Sequence, residues 1–276
     1  HAILHACESI ERLGYPVAYL PVDNEGIVSP DMLSSFITDE TRLVSVMLVN
    51  NEIGTIEPIS ELAKVAHRHG AVFHTDAVQA VGHIAINVKE LGVDMLSASA
   101  HKFNGPKGIG FIYIKSGTKI FPYADGGAQE HGMRAGTENI ASIVGMAAAL
   151  KKNCDHMDQT QNKLHQLEDK FLDVLKLSGI DFTRNGSANH IPGNVNVSIR
   201  NVSGEMLLHR LDLKGIAIST GSACDSVNTQ VSHVIQAIRV PKEYAHGTIR
   251  VSFGRDNEES DAVEIAKAIV DILKTK

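Results

Sequence analysis

Lys102 and Asp76 are the residues whose types and settings most suggest chemistry. Lys102 follows a histidine and a run of small residues in SASAHKFNGPKGIG (97–110), and Asp76 closes the run AVFHTDA (71–77). A lysine at a strand end, shielded by small neighbours, has a lowered amine pKa and condenses with aldehydes. Pyridoxal phosphate chemistry needs such a lysine together with a carboxylate that keeps the ring nitrogen protonated. Gln79 follows Asp76 at a distance suited to the ring's phenolic oxygen, and Ser99 and His101 bracket Lys102 as phosphate donors. Taken singly, each has a plainer reading: an aspartate after a strand caps a helix, a lysine is solvated, a histidine is a satisfied core group. The joint pattern favours the cofactor.

A nucleotide loop fits the same stretch poorly. A phosphate-binding GxxxxGK[ST] would need lysine after Gly108, where Ile109 stands, and GxGxxG must open a helix, whereas GIGFIYIK enters a strand. The remaining nucleophile is Cys224 in GSACDS, between small residues and a polar, turn-prone sequence that suits a reactive thiolate. Cys7 and Cys154 fall on helical faces and are given no role.

These residues need a frame. RLVSVMLVN (42–50), AVFHTDA (71–77), VDMLSASA (93–100) and GIGFIYIK (108–115) read as strands, and residues 16–21 as a short one. Helices are expected over 2–13, from SPDMLSSFI with its Ser29 cap and Pro30, over SELAKVAHRH, and across 139–176. The alternation predicts a mixed, mostly parallel α/β sheet covered by helices, with ligands at the carboxyl ends of the strands. Asn50, Asn51, Asp76, His101 and Lys102 all fall at such ends. Past Gly179 the order NVNVSI (194–199) strand, 204–215 helix, IAIST (216–220) strand, TQVSHVIQAI helix, TIRVSF (248–253) strand and C-terminal helix describes a smaller α+β unit. The expected division is a cofactor-binding large domain over 1–155 and a small domain over 156–276 that carries the Cys224 loop.

Composition bounds the rest. The 276 residues carry a net charge of −6, and no basic run longer than two residues occurs, so no general nucleic-acid surface is expected. No apolar run is long enough for a membrane span. The three cysteines are widely spaced, which gives neither a disulfide framework nor a CxxC metal pair and suits a reducing, cytoplasmic setting. Among the 14 histidines, His67 and His69 near a helix end read as solvated or dipole-complementing, and no metal site is expected.

HTDAVQA, SASAHKFNGPKGIG, GGAQEHGMRAGT and STGSACDS together resemble the cysteine desulfurases, of the aminotransferase class V group of fold-type I pyridoxal phosphate enzymes. The likeness runs through essentially the whole chain. It implies that Lys102 carries the cofactor as an imine, with Asp76 on the pyridine nitrogen, Gln79 on the phenolic oxygen, and Ser99 and His101 on the phosphate. Asn51 would lie beside cofactor and substrate carboxylate, Arg250 would grip that carboxylate, and Thr137 would reach the phosphate in the neighbouring subunit of a homodimer. Cys224 would take the sulfur of L-cysteine as a persulfide and pass it to an acceptor protein, an iron–sulfur scaffold or a thiolation protein. A selenocysteine lyase and a catalytically silent scaffold of the same fold are the alternatives. The family also has a preceding stretch with a phosphate loop and a Glu-His-x-Ala motif. His1 to Leu4 fit the end of that motif, so the ring-stacking histidine is expected just before His1.

Overall fold

The structure is a computed structural model that describes residues 2–220 and 231–274. Two sheets organise it. The first has the order β1-β2-β3-β4: β1 (Leu43–Met47), β2 (Val72–Asp76) and β3 (Met95–Ser99) run parallel, and β4 (Gly110–Ile114) returns antiparallel to β3. Each parallel crossover carries a helix: α3 (Ile59–Arg68) between β1 and β2, and the short α4 (Val88–Leu91) between β2 and β3. Upstream lie α1 (Ala2–Arg12) and α2 (Pro30–Phe36), the latter capped by the Ser29 side chain with Pro30 at its first turn.

The period of two sorts the first sheet into unlike faces. Val44, Val46, Phe73, Leu96 and Ala98 point to one side and pack with Leu62 and Ala66 of α3 and with Phe103 in one buried cluster. The opposite side carries a polar row across three strands. The His74 ring bonds Ser45 Oγ through Nδ1 (2.8 Å) and Ser97 Oγ through Nε2 (2.9 Å). Burial of that ring pushes the His74 pKa down, against the raising effect of Asp76. At the other end of the sheet, Asp94 accepts from the Phe73 N–H (2.8 Å) and bonds His67 Nε2 (2.7 Å). His67 is therefore tied to the sheet, not simply solvated.

The second sheet is antiparallel, order β5-β6-β7: β5 (Phe182–Arg184), β6 (Asn194–Ile199) and β7 (Thr248–Ser252). It packs on α6 (Met157–Leu177) and α10 (Glu259–Lys274) through Leu167, Phe171, Leu175, Val195, Val197, Ile249, Val251, Ala266 and Ile269. α5 (Ile140–Asp155) precedes α6, with a break at His156, so the expected helical stretch is two helices. α7 (Gly204–Asp212), α8 (His233–Ala237) and α9 (Lys242–Ala245) complete the chain.

Three expected elements differ. Residues 16–21 form no strand, since no described neighbour pairs with them. IAIST contributes only a bridge, Ser219 to Arg250. The helix expected from Thr229 starts at His233, where the Ser232 side chain accepts from Val234 N–H and sets the cap.

Candidate functional site

The parallel register aligns the candidate residues. Met47 lies beside Asp76, and Asp76 beside Ser97. Ser99, two residues beyond Ser97, therefore shares its face at the end of β3. Asp76 ends β2 half-buried, and its Oδ1 accepts from Val78 N–H (3.0 Å), which shapes the turn that presents Gln79. After Ser99 the chain enters a 3₁₀ turn, Ala100–Phe103, that exposes His101 and Lys102. Asn104, at φ 65°, closes that turn in the left-handed conformation that asparagine tolerates.

Lys102 corrects the sequence reading. It is exposed, not desolvated behind its small neighbours. Those neighbours serve the layer beneath: Ala98 and Ala100 turn into the core with Phe103, and the turn that buries them throws His101 and Lys102 outward. The turn is pinned by the His83 ring, whose Nε2 donates to the Lys102 carbonyl (2.7 Å), and by Asn153 Nδ2, which donates to the Phe103 carbonyl (3.1 Å).

The second half of the site is built around the loop after β1. Asn50 Oδ1 accepts from Glu52 N–H (2.9 Å) and Ile53 N–H (3.2 Å), folding the loop on its own side chain. Arg250 on β7 donates from NH1 to the Asn51 carbonyl (2.8 Å), so two residues far apart in sequence meet. Asn194 Nδ2 reaches the same carbonyl at 3.4 Å, and Asn196 Nδ2 donates to the Glu52 carbonyl (3.1 Å).

The site thus gathers Asp76, Gln79, Ser99, His101 and Lys102 at neighbouring strand ends, and Asn51 with Arg250. Thr137 is not joined to them: it sits exposed before α5 and makes no hydrogen bond to any of them. Cys224 and His1 lie outside the described residues.

The donor set fits pyridoxal phosphate. Among the described residues, the Lys102 amine, Gln79 amide, Ser99 hydroxyl and His101 ring have no hydrogen-bond partner. An amine, an amide and phosphate donors stand uncommitted at the carboxyl edge of one sheet, beside a carboxylate whose Oδ1 accepts only a local turn bond from Val78 N–H, the composition that an aldehyde-bearing pyridine phosphate requires.

The sequence reading missed the loop's supports, Asn194, Asn196 and Glu52. A signal existed in NVNVSI, where polar residues alternate with apolar ones although Asn196 and Ser198 are both 0% exposed. A strand with a buried polar face must be bonding something. The reading also missed a group with metal-ligand spacing, His165, Glu168 and His190. Arg184 donates to Glu168 Oε1 (3.2 Å) and contacts His190 Nε2, so this group already holds a cation of the chain's own.

The chain belongs to the aminotransferase class-V family, whose model matches residues 1–265. Within that family its relatives are cysteine desulfurases. It is 48% identical to the cysteine desulfurase IscS of Dictyoglomus turgidum over 279 residues, covering 100% of this chain and 71% of that protein. It is 46% identical to the IscS of Clostridium botulinum strain Hall, covering 100% of this chain and 70% of that protein. The solved structure of a NifS-like protein superposes with a TM-score of 0.91 at 33% identity, covering 100% of this chain and 73% of that one. The fold is that of these pyridoxal phosphate enzymes, a mostly parallel sheet with a separate antiparallel one.

Proposed function

We infer that the protein is a pyridoxal phosphate-dependent cysteine desulfurase that takes sulfur from L-cysteine and leaves L-alanine. The observation that carries this reading is the alignment of Asp76 with Ser97 near the end of β3, the strand whose following turn presents an uncommitted Lys102, in a chain that matches desulfurases along its whole length. The cofactor, when bound, supplies a reactive aldehyde and a sink for the electrons released at the substrate Cα. Asp76 holds the proton on the ring nitrogen, Gln79 bonds the phenolic oxygen, and Ser99 and His101 bind the phosphate. Arg250, oriented by the Asn51 carbonyl, grips the substrate carboxylate with its planar fork. Lys102 Nζ moves the Cα proton. The Cys224 thiolate attacks the substrate sulfur: the S–S bond forms as the C–S bond breaks, and the electron pair left on carbon is protonated on the way to alanine.

The same reading divides the chain at residue 155 into cofactor and small domains and makes the enzyme a homodimer. Phe121, Tyr123, Ile140 and Val144, which lie on either side of Thr137 in the sequence, are large apolar side chains left exposed that a second copy would cover. The persulfide would pass to an iron–sulfur scaffold or thiolation protein, in a cytoplasm reducing enough to keep Cys224 a thiol.

Borohydride reduction of the whole protein with cofactor tests this. The reduced adduct should map to Lys102, and Lys102→Ala should abolish both the visible absorbance band and alanine release. An adduct elsewhere refutes the site. Partner binding without alanine release would instead mark a scaffold, and turnover of selenocysteine but not cysteine a lyase.

A further inference from the structure

Glu52 is 1% exposed, yet it carries a carboxylate and sits next to Asn51. Its Oε2 accepts from Ser232 Oγ at 2.6 Å. That hydroxyl has one proton and gives it to Glu52, which turns its lone pairs toward α8, where it accepts from Val234 N–H (3.1 Å). Glu52 thereby fixes the rotamer of the residue that caps α8. Apolar packing reinforces the joint: Ile53, Ile235 and Ile238 form a buried cluster of their own, with Val231 and Val234 against it. The backbone of Glu52 is held from the other side. Its carbonyl accepts from Asn196, whose Oδ1 accepts from Asn185 Nδ2 (2.7 Å); Asn185 Nδ2 also reaches Ser198 Oγ (2.7 Å), and Ser198 bonds Thr248 Oγ1 (2.7 Å). Ser187 and Gly186 pack onto the same loop at Thr55 and Ile53. A chain of buried polar groups thus runs from the second sheet through Glu52 to α8, the element the polypeptide enters after Cys224.

We propose that Glu52 is a positioning residue for the sulfur-transfer step: through Ser232 and the Ile53–Ile235–Ile238 cluster it locks α8 to the loop that carries Asn51. This rests on the desulfurase reading. A buried carboxylate is an expensive way to fill space. Among the described residues its side chain bonds one hydroxyl, itself a helix cap, and this gives it a directional use that an apolar residue would not supply.

The test uses the whole protein loaded with cofactor, with Glu52→Ala, Glu52→Gln, Ser232→Ala and the double variant Glu52→Ala/Ser232→Ala. The measurements are alanine release, the visible spectrum, and the rate at which iodoacetamide alkylates Cys224, read by mass spectrometry. Glu52→Ala should lower kcat about tenfold or more with KM and spectrum little changed, because misplacement away from the binding groups costs turnover. Alkylation of Cys224 should shift severalfold. Glu52→Gln keeps an acceptor oxygen for Ser232 and should recover most of both. The double variant should be no worse than Glu52→Ala, since one bond is lost in either case. If Glu52→Ala fails to fold, Ser232→Ala carries the same expectations. Unchanged turnover and alkylation in both single variants, or multiplicative losses in the double, would overturn the proposal. If the wild-type protein releases no alanine, the desulfurase reading fails by itself, and the alkylation rates still decide whether the joint exists.

Discussion

Glu57 is a buried acid that the fold holds against its charge. It is 7% exposed, and its Oε2 accepts from the Val28 N–H at 2.9 Å. Burial raises its pKa from 4.5 to about 7, outweighing the Val28 bond, which lowers it, and Asp23 adds to the rise. The sign follows. Below 4.5 the carboxyl is protonated in both folded and unfolded chains. Between 4.5 and about 7 the folded chain keeps a proton that the unfolded chain has lost, so stability declines as pH rises through that window and is level above it. At about 1.4 kcal/mol per pH unit, the window is worth about 3 kcal/mol. Gln at this position keeps the acceptor for Val28 and nearly the same volume, and it removes the titration.

Glu57→Gln should therefore match the wild type near pH 5 and exceed it by about 1–3 kcal/mol near pH 8. The assay is urea unfolding of both proteins at a series of pH values, compared as differences. Asp23→Asn is the control: removing the nearby charge should move the wild-type decline to lower pH. Parallel stability curves for wild type and Glu57→Gln across this range would refute the argument, because they would mean that Glu57 ionises in the folded chain as it does in the unfolded one.

Two further outcomes concern packing. Gly110 pairs with Ser99 across β3 and β4, and a Cβ there would overlap the Ala98 carbonyl, a backbone atom that cannot step aside. Gly110→Ala should cost about 2 kcal/mol or more by forcing the strands apart, measured as a lower urea midpoint, and it should weaken cofactor retention because Ser99 moves with β3. Glu168, 2% exposed, holds Arg184 and His190 (3.1 Å) together. Glu168→Ala strands both partners and should lose about 2–4 kcal/mol by the same measurement, whereas Glu168→Gln, which keeps an acceptor, should lose less.

Much of the frame is legible in the sequence because apolar periodicity is a local signal. The β-branched run at 42–50 suits a strand, and it forms one over Leu43–Met47 that is buried on one face; β2, β3 and β4 also fall inside their expected ranges. What fails locally fails for tertiary reasons. Residues 16–21 have the composition of a strand without a described neighbour to pair with. IAIST has one, Arg250, but touches it at a single residue. The exposure of Lys102 could not be read from the residues before it, Ser97 to Ala100, because small residues before a lysine suggest shelter, and only the turn shows that the alanines face down and the lysine out. Arg250 and Asn51 meet across two sheets, a contact that no spacing in the sequence encodes.

That last contact explains why the two sheets have to be fixed against each other so firmly. Asn51 leaves the first sheet and Arg250 stands on the second, so any sliding between the sheets changes the distance between the two, which in the function proposed above are the group beside the cofactor and the group on the substrate. Apolar contact alone resists separation better than it resists sliding, since dispersion forces have little direction. Hydrogen bonds do have direction. The joint accordingly uses them: Arg250 and Asn194 on the Asn51 carbonyl, Asn196 on the Glu52 carbonyl, Thr55 Oγ1 on the Glu25 carbonyl (2.7 Å) and accepting from Ser187 N–H (3.0 Å). Asn196 and Thr55 are fully buried, where each such bond is stronger and its loss dearer than at the surface. The polar residues inside NVNVSI are the means by which one sheet keeps register with the other, and the placing of Arg250 against Asn51 depends on that register.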